Sequence, residues 1–126
     1  MKTIHFLFIV CFVLLGSVAN AQVTFEAKVS KKKLGLNERL RVDFEMNQDG
    51  DNFNPPNFEG FRVVGGPNQA ISNSYFNGKR SYSKTYSYFL SPIGKGNVTI
   101  GQATIEIDGQ TYKTSPVTVN VGDAVK

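Results

Sequence analysis

Leu40, Val42, Phe44 and Met46 alternate with Arg39, Arg41, Asp43 and Glu45. A period of two places one set of side chains on each face of an extended chain, so this segment reads as a half-buried β-strand. The same period recurs through most of residues 22–121, and nowhere there does a 3.6-residue period replace it. Val23, Phe25, Ala27 and Val29 form a first strand, and Leu34 and Leu36 a short extra edge. Residues 47–57 (NQDGDNFNPPN) break the pattern with turn and breaker signals. A strand starting at Phe58 is expected to end at Gly65-Gly66-Pro67. Gln69–Phe76 and Lys79–Leu90 flank Asn77-Gly78, the strongest short hairpin signal, because both residues tolerate a positive φ. Val98 to Ile107 reads as one strand with an irregularity at Gly101. Asp108-Gly109 makes a second turn, and Gln110 to Val121 reads as a last strand interrupted at Ser115-Pro116. Seven to eight short strands without a helix imply an all-β, immunoglobulin-like β-sandwich, with a small closed barrel as the rival. The Cys…Trp…Cys pattern of antibody domains is absent.

The first 21 residues have a different character. A charged start at Lys2, an apolar run from Ile4 to Leu15 and the end Ala19-Asn20-Ala21 read as a secretory signal peptide cut before Gln22. The run is shorter than the ~20 residues a membrane span needs. The expected organisation is a signal peptide at 1–21, a sandwich domain at 22–122, and a tail or the start of a linker at 123–126. Export is therefore expected.

Removal of residues 1–21 has a chemical consequence. The single Cys (Cys11) and the single His (His5) lie there, and the chain has no Trp. Residues 22–126 therefore lack the side chains used in thiol catalysis, in His-assisted serine catalysis and in most zinc sites. No cofactor and no metal is expected. Asp43 and Glu45 share a strand face about 7 Å apart, but they alternate with core positions beside Arg39 and Arg41, as on a solvated sheet. Asp49, Asp51 and Asn52 resemble a calcium loop only superficially, since the twelfth position falls on Gly60. Gly65-Gly66 and Gly94-Lys95-Gly96 lack the strand–glycine–helix setting of a phosphate cradle and read as turns. Asn97-Val98-Thr99 matches the N-glycosylation triplet.

Without Lys2 the charge balance is 13 basic to 10 acidic side chains. Lys31-Lys32-Lys33 is the single basic run, too short for a nucleic-acid patch, and reads as a device against edge-to-edge strand pairing. No nucleic acid is expected as a partner. The aromatic residues carry more information. Tyr75, Tyr82, Tyr86, Tyr88 and Tyr112, with Phe76 and Phe89, concentrate in and near one hairpin. Such rings either fill a sandwich core or form an exposed binding row. The candidate contact residues are Tyr75, Asn77, Gly78, Lys79, Arg80 and Tyr82.

The order of these segments resembles the N-terminal domain of the BatD family, the bacterial oxygen-tolerance family. The similarity spans Val23 to Val121. It rests on VTFEAKVSKKKLGLNERLRVDFEM after the leader, on the Pro-Phe-Gly-Phe region ending in GGP, on the NG hairpin leading into YSKTYSYFLSP, and on GNVTIGQATIEIDGQTYKTSPVTVNV. The resemblance implies a periplasmic protein of immunoglobulin-like domains, held in the inner membrane by a later, C-terminal anchor missing from this chain. It also implies action beside MoxR-type ATPases and von Willebrand A-domain proteins in aerotolerance and stress resistance. No catalytic residues come with it. The function expected is a non-enzymatic, exported module that binds an envelope protein, a von Willebrand A-domain protein of the same system, through sheet edges or the hairpin. The alternative is a glycan-binding or adhesin-like module that uses the tyrosine row. An enzyme would need two converging acids.

Overall fold

The computed structural model describes residues 22–126. The expected signal segment, with Ala19 and Ala21, lies outside the described residues, while Gln22 is exposed and its carbonyl accepts a bond from the Asn47 side-chain amide at 2.7 Å. Ten strands and no helix make up the described part. They are β1 (Phe25–Val29), β2 (Lys33–Gly35), β3 (Leu40–Met46), β4 (Asp51–Asn54), β5 (Phe61–Phe76), β6 (Lys79–Pro92), β7 (Gly96–Ile100), β8 (Thr104–Ile107), β9 (Gln110–Lys113) and β10 (Val117–Gly122).

The strands build a β-sandwich. One layer is a four-stranded antiparallel sheet in the order β1-β3-β6-β5, and its apolar face packs against two three-stranded sheets, β2-β10-β7 and β4-β8-β9. Alternation explains the layer directly. Leu40, Val42, Phe44 and Met46 are fully buried, while Arg41, Asp43 and Glu45 between them point outward. On that outer face Ser87 donates to Asp43 at 2.6 Å and Lys28 donates to Glu45 at 3.1 Å, so the two carboxylates belong to a cross-strand polar network. Ile100, Ile105 and Val119 from the opposing sheets close the core. Each such side chain contributes roughly 1.5–3 kcal/mol when removed from water.

Four expectations need correction. There are ten strands rather than seven or eight, because both long C-terminal strands split. β7 and β8 lie in different sheets, and so do β9 and β10. The chain changes sheet at Gly101–Ala103 and again at Thr114–Pro116. The two crossings are tied together: Thr114 N donates to Ala103 O at 3.0 Å, and Ala103 N donates to the Thr114 hydroxyl at 2.9 Å. The segment 47–57 is not all loop, since β4 lies within it and Phe53 enters the core. Phe58 does not open a strand: it sits in the turn before β5 with φ 48°, its ring buried, and Phe61 N donates to its carbonyl. Finally, Gly65-Gly66-Pro67 does not end β5. The strand absorbs it through register shifts between Val63 and Asn68, which an edge strand permits.

Residues 123–126 carry no strand, but Asn37 clasps them, its side chain bonding both the N–H (2.8 Å) and the carbonyl (2.6 Å) of Val125. Lys33 opens β2, an edge strand, and Lys31 pairs with Glu38 at 2.7 Å.

Candidate functional site

The β5–β6 hairpin is longer than the sheet that supports it. β3 ends at Met46, which faces Lys84 of β6. Beyond that point β6 has β5 on one side and no strand on the other. Ser72–Phe76 and Lys79–Ser83 therefore form a free two-stranded ribbon about 17 Å long. Its tip is a two-residue turn, with Asn77 at φ 52° and Gly78 at φ 76°, the type I′ geometry whose twist matches the flanking strands. A Cβ at Gly78 would meet nothing, so the tip stands in solvent.

Directly opposed residues share a face. Ile71/Lys84, Asn73/Tyr82 and Tyr75/Arg80 occupy one face of the ribbon, and Ser72/Ser83, Ser74/Ser81 and Phe76/Lys79 the other. The first face continues the core face of β6. Along it the tyrosine row divides. Tyr86 stacks on Phe53 at a 4.2 Å centroid distance, and Tyr88 packs on Phe58 at 5.0 Å. Both belong to the sandwich core. Tyr75, 74% exposed, and the half-buried Tyr82 lie out on the ribbon. Core filling and exposed row, posed as alternatives by the sequence, occupy successive stretches of one hairpin.

Lys84 marks the boundary. It is 9% exposed, its ammonium donates to Asp49 Oδ1 at 3.1 Å and Gly50 O at 3.3 Å, and it lies 5.5 Å from the Tyr86 ring centroid. Burial pulls its pKa down, but the hydrogen bond to Asp49 and the nearness of Tyr86 outweigh it, leaving Lys84 above its ordinary 10.5. Tyr88 is also raised above 10.0, by burial first and by Tyr86 second.

Further out, Arg80 Nε donates to Asn73 Oδ1 at 3.1 Å, and its Cζ lies 5.6 Å from the Tyr82 ring centroid. Arg80, Ser81 and Tyr82 form one wall of an open cleft of about 540 Å³; Asn47, Gln48 and Asp49 from the β3–β4 turn form the other. Of the candidate residues, the structure thus brings Arg80 and Tyr82 into contact and sets Tyr75 opposite Arg80. Asn77 and Gly78 make the tip, and Lys79 points to the opposite face beside Phe76.

Asn73, Lys84 and the Asn47–Asp49 wall are site residues that pattern reading missed. Charge distribution offered a signal. No Asp or Glu occurs between Glu59 and Glu106, while Arg62, Lys79, Arg80, Lys84 and Lys95 all fall in that interval. Among the described residues, Arg62, Lys79 and Arg80 make no salt bridge. Asp49 is engaged by Lys84 and Asn52 by Glu106, so the resemblance to a calcium loop does not carry into three dimensions. No three acidic, His or Cys side chains converge as metal ligands among the described residues.

Searches among curated proteins and solved structures found no match. A family model, the BatD DUF11 like domain, matches residues 27–121, from within β1 to the penultimate residue of β10. That match takes in all or most of every strand of the sandwich and the whole ribbon, and by it the chain belongs to the BatD family.

Proposed function

We propose that this chain is a non-enzymatic, exported interaction module that binds another envelope protein through the β5–β6 ribbon. The expected partner is a von Willebrand A-domain protein of the same aerotolerance system. The observation that carries the reading is the ribbon itself. Its tip exposes Tyr75, Phe76, Lys79 and Arg80, and no residue from Ser72 to Ser83 belongs to the core. A twelve-residue projection that contributes little burial to folding is a feature of recognition, and exposed aromatic residues and arginine are the side chains most enriched at binding hot spots. BatD membership supports the periplasmic setting and the link to stress resistance. Titration calorimetry of the purified chain against that von Willebrand A-domain protein tests the reading. Binding that Arg80→Glu or Tyr75→Ala weakens at least about tenfold supports it; no binding counts against it.

Glycan binding is the second reading, and one observation favours it: Tyr82 borders an open cleft whose far wall is Asn47, Gln48 and Asp49. Because Tyr86 and Tyr88 are packed in the core, Tyr82 and Tyr75 are the members of the row left for stacking. Glycan-array signal lost on Tyr82→Ala would favour this reading over the first.

A further inference from the structure

β5 is an edge strand over its full 16 residues. Natural proteins blunt such edges with proline, bulges and charge. The first half of β5 has these devices: Arg62, Pro67 and the register shifts between Val63 and Asn68. From Asn68 to Phe76 there is none. The pairing runs in unbroken register, with no proline and no charged residue. The other edges differ. β1 carries Glu26 and Lys28, the ribbon stretch of β6 beyond β3 carries Lys79 and Arg80, and β2, β4, β7 and β9 have five residues or fewer.

The turn shows which backbone groups are free. In a two-residue hairpin the residues flanking the turn exchange both backbone hydrogen bonds, and bonded and non-bonded pairs then alternate. Phe76↔Lys79 is the flanking pair, so Ser74, Ser72 and Ala70 also bond toward β6. The N–H and C=O groups of Gln69, Ile71, Asn73 and Tyr75 face outward. These four residues share the face that holds Tyr82 and Arg80, with Ile71 56% and Tyr75 74% exposed.

We propose that this edge takes up an extended acidic segment of a partner protein as a fifth strand of the sheet, with a carboxylate of the segment bound by Arg80. The proposal rests on the interaction-module reading and specifies its mode. Backbone pairing to Gln69, Ile71, Asn73 and Tyr75 supplies affinity, and side chains at alternate positions supply specificity. Apolar residues of the segment lie beside Ile71 and Tyr75. Arg80 is already held across β5 by its bond to Asn73, and its four remaining N–H donors suit a carboxylate. Lys79 on the opposite face suits a second one. A second copy of this chain fits poorly, because the stretch between Glu59 and Glu106 brings cations and no carboxylate to the same edge.

The test uses a synthetic ten-residue peptide with threonine at every second position and glutamate and valine in turn between them, so that glutamate and valine share one face, and a copy with lysine for glutamate. Both are titrated into the purified ¹⁵N-labelled chain. The expected result is binding of the glutamate peptide, with the largest amide shifts at Gln69, Ile71, Asn73 and Tyr75 and at least about tenfold weaker binding of the lysine peptide. Ile71→Ala and Ile71→Pro both remove the side chain, but proline also removes an outward N–H that edge strands can lose without unfolding. Ile71→Ala is expected to bind within about threefold of the parent and Ile71→Pro not at all, with the dispersed amide spectrum reporting that each is folded. Equal binding by Ile71→Pro, equal binding of both peptides, or no binding at about 1 mM overturns the proposal. So does concentration-dependent dimerisation that Ile71→Pro abolishes, which assigns the edge to a second copy. If no peptide binds while the von Willebrand A-domain protein still binds through Arg80, strand addition fails and the interaction module stands. If that protein does not bind either, the module reading fails as well.

Discussion

Lys84 and Asp49 are unequal partners, and the inequality predicts how each responds to removal. The ammonium is buried, with the Asp49 carboxylate and the Gly50 carbonyl as its acceptors, whereas the Asp49 side chain is 72% exposed. Asp49→Ala strands a buried cation and is expected to cost about 1–3 kcal/mol in urea unfolding. Lys84→Met leaves a carboxylate that water can solvate and places an apolar chain beside Tyr86 and Met46, so its cost is expected to stay below about 1 kcal/mol. The same residue contributes to the alkaline limb. Lys84 and Tyr88 hold their protons more tightly in the folded state than in the unfolded one. Their contributions are complete below the unfolded values of 10.5 and 10.0 and disappear as pH rises through the folded ones. Glu38 has the opposite sign. The Lys31 hydrogen bond, then the Gly35 N–H, lowers its pKa, so its contribution is present above 4.5 and lost as pH falls through the folded value. Stability measured against pH is expected to fall above about pH 10 in the parent and less steeply in Lys84→Met, while Glu38→Gln flattens the acid limb alone. In the sequence, Lys84 is one more polar residue in a serine- and tyrosine-rich strand. Its burial depends on Asp49 being 35 residues away along the chain and 3.1 Å away in space, which no local pattern encodes.

Strands were legible where alternation is clean, and their ends were not. β1 and β3 lie where period two put them, because one face of each is covered by the core and the other by water or charged neighbours. β4 escaped notice because Asn52 at positive φ and a register shift interrupt its four residues, leaving Phe53 as a lone apolar position among polar ones. The two long C-terminal segments hid a different event. At Gly101–Ala103 and Thr114–Pro116 the chain leaves one sheet for another, a choice made by packing rather than by propensity. Ala103 and Thr114 are both fully buried and exchange two hydrogen bonds where those crossings meet. Thr114→Val keeps the shape but leaves the Ala103 N–H buried without an acceptor. It is expected to lower stability by about 1–3 kcal/mol, and Thr114→Ser by less than about half of that, in the same denaturation assay.

At the scale of the whole molecule, the proposed function assigns stability and recognition to different parts of one hairpin. The sandwich core ends at Met46, Lys84 and Tyr86, and the ribbon beyond them adds backbone pairing and little burial. Period two was enough to read an all-β chain, and Asn77-Gly78 to read a hairpin. The projection of that hairpin past the sheet was not legible, because it follows from β3 being shorter than β6. The separation has a direct test. Replacing residues 73–82 with Asn-Gly, so that the hydrogen-bonded pair Ser72 and Ser83 flanks a new two-residue turn, removes the ribbon beyond that pair and leaves every core residue in place. The excised chain is expected to unfold in a single transition within about 4–8 °C of the parent, the shift that ~1 kcal/mol produces in a domain of this size. Its urea m-value is expected to change little, since m follows the surface exposed on unfolding and the ribbon is already exposed. Partner binding is expected to vanish. A chain that fails to fold after excision would show instead that the ribbon nucleates the β5–β6 pairing, and the exposed tyrosines would then owe their place to folding rather than to recognition.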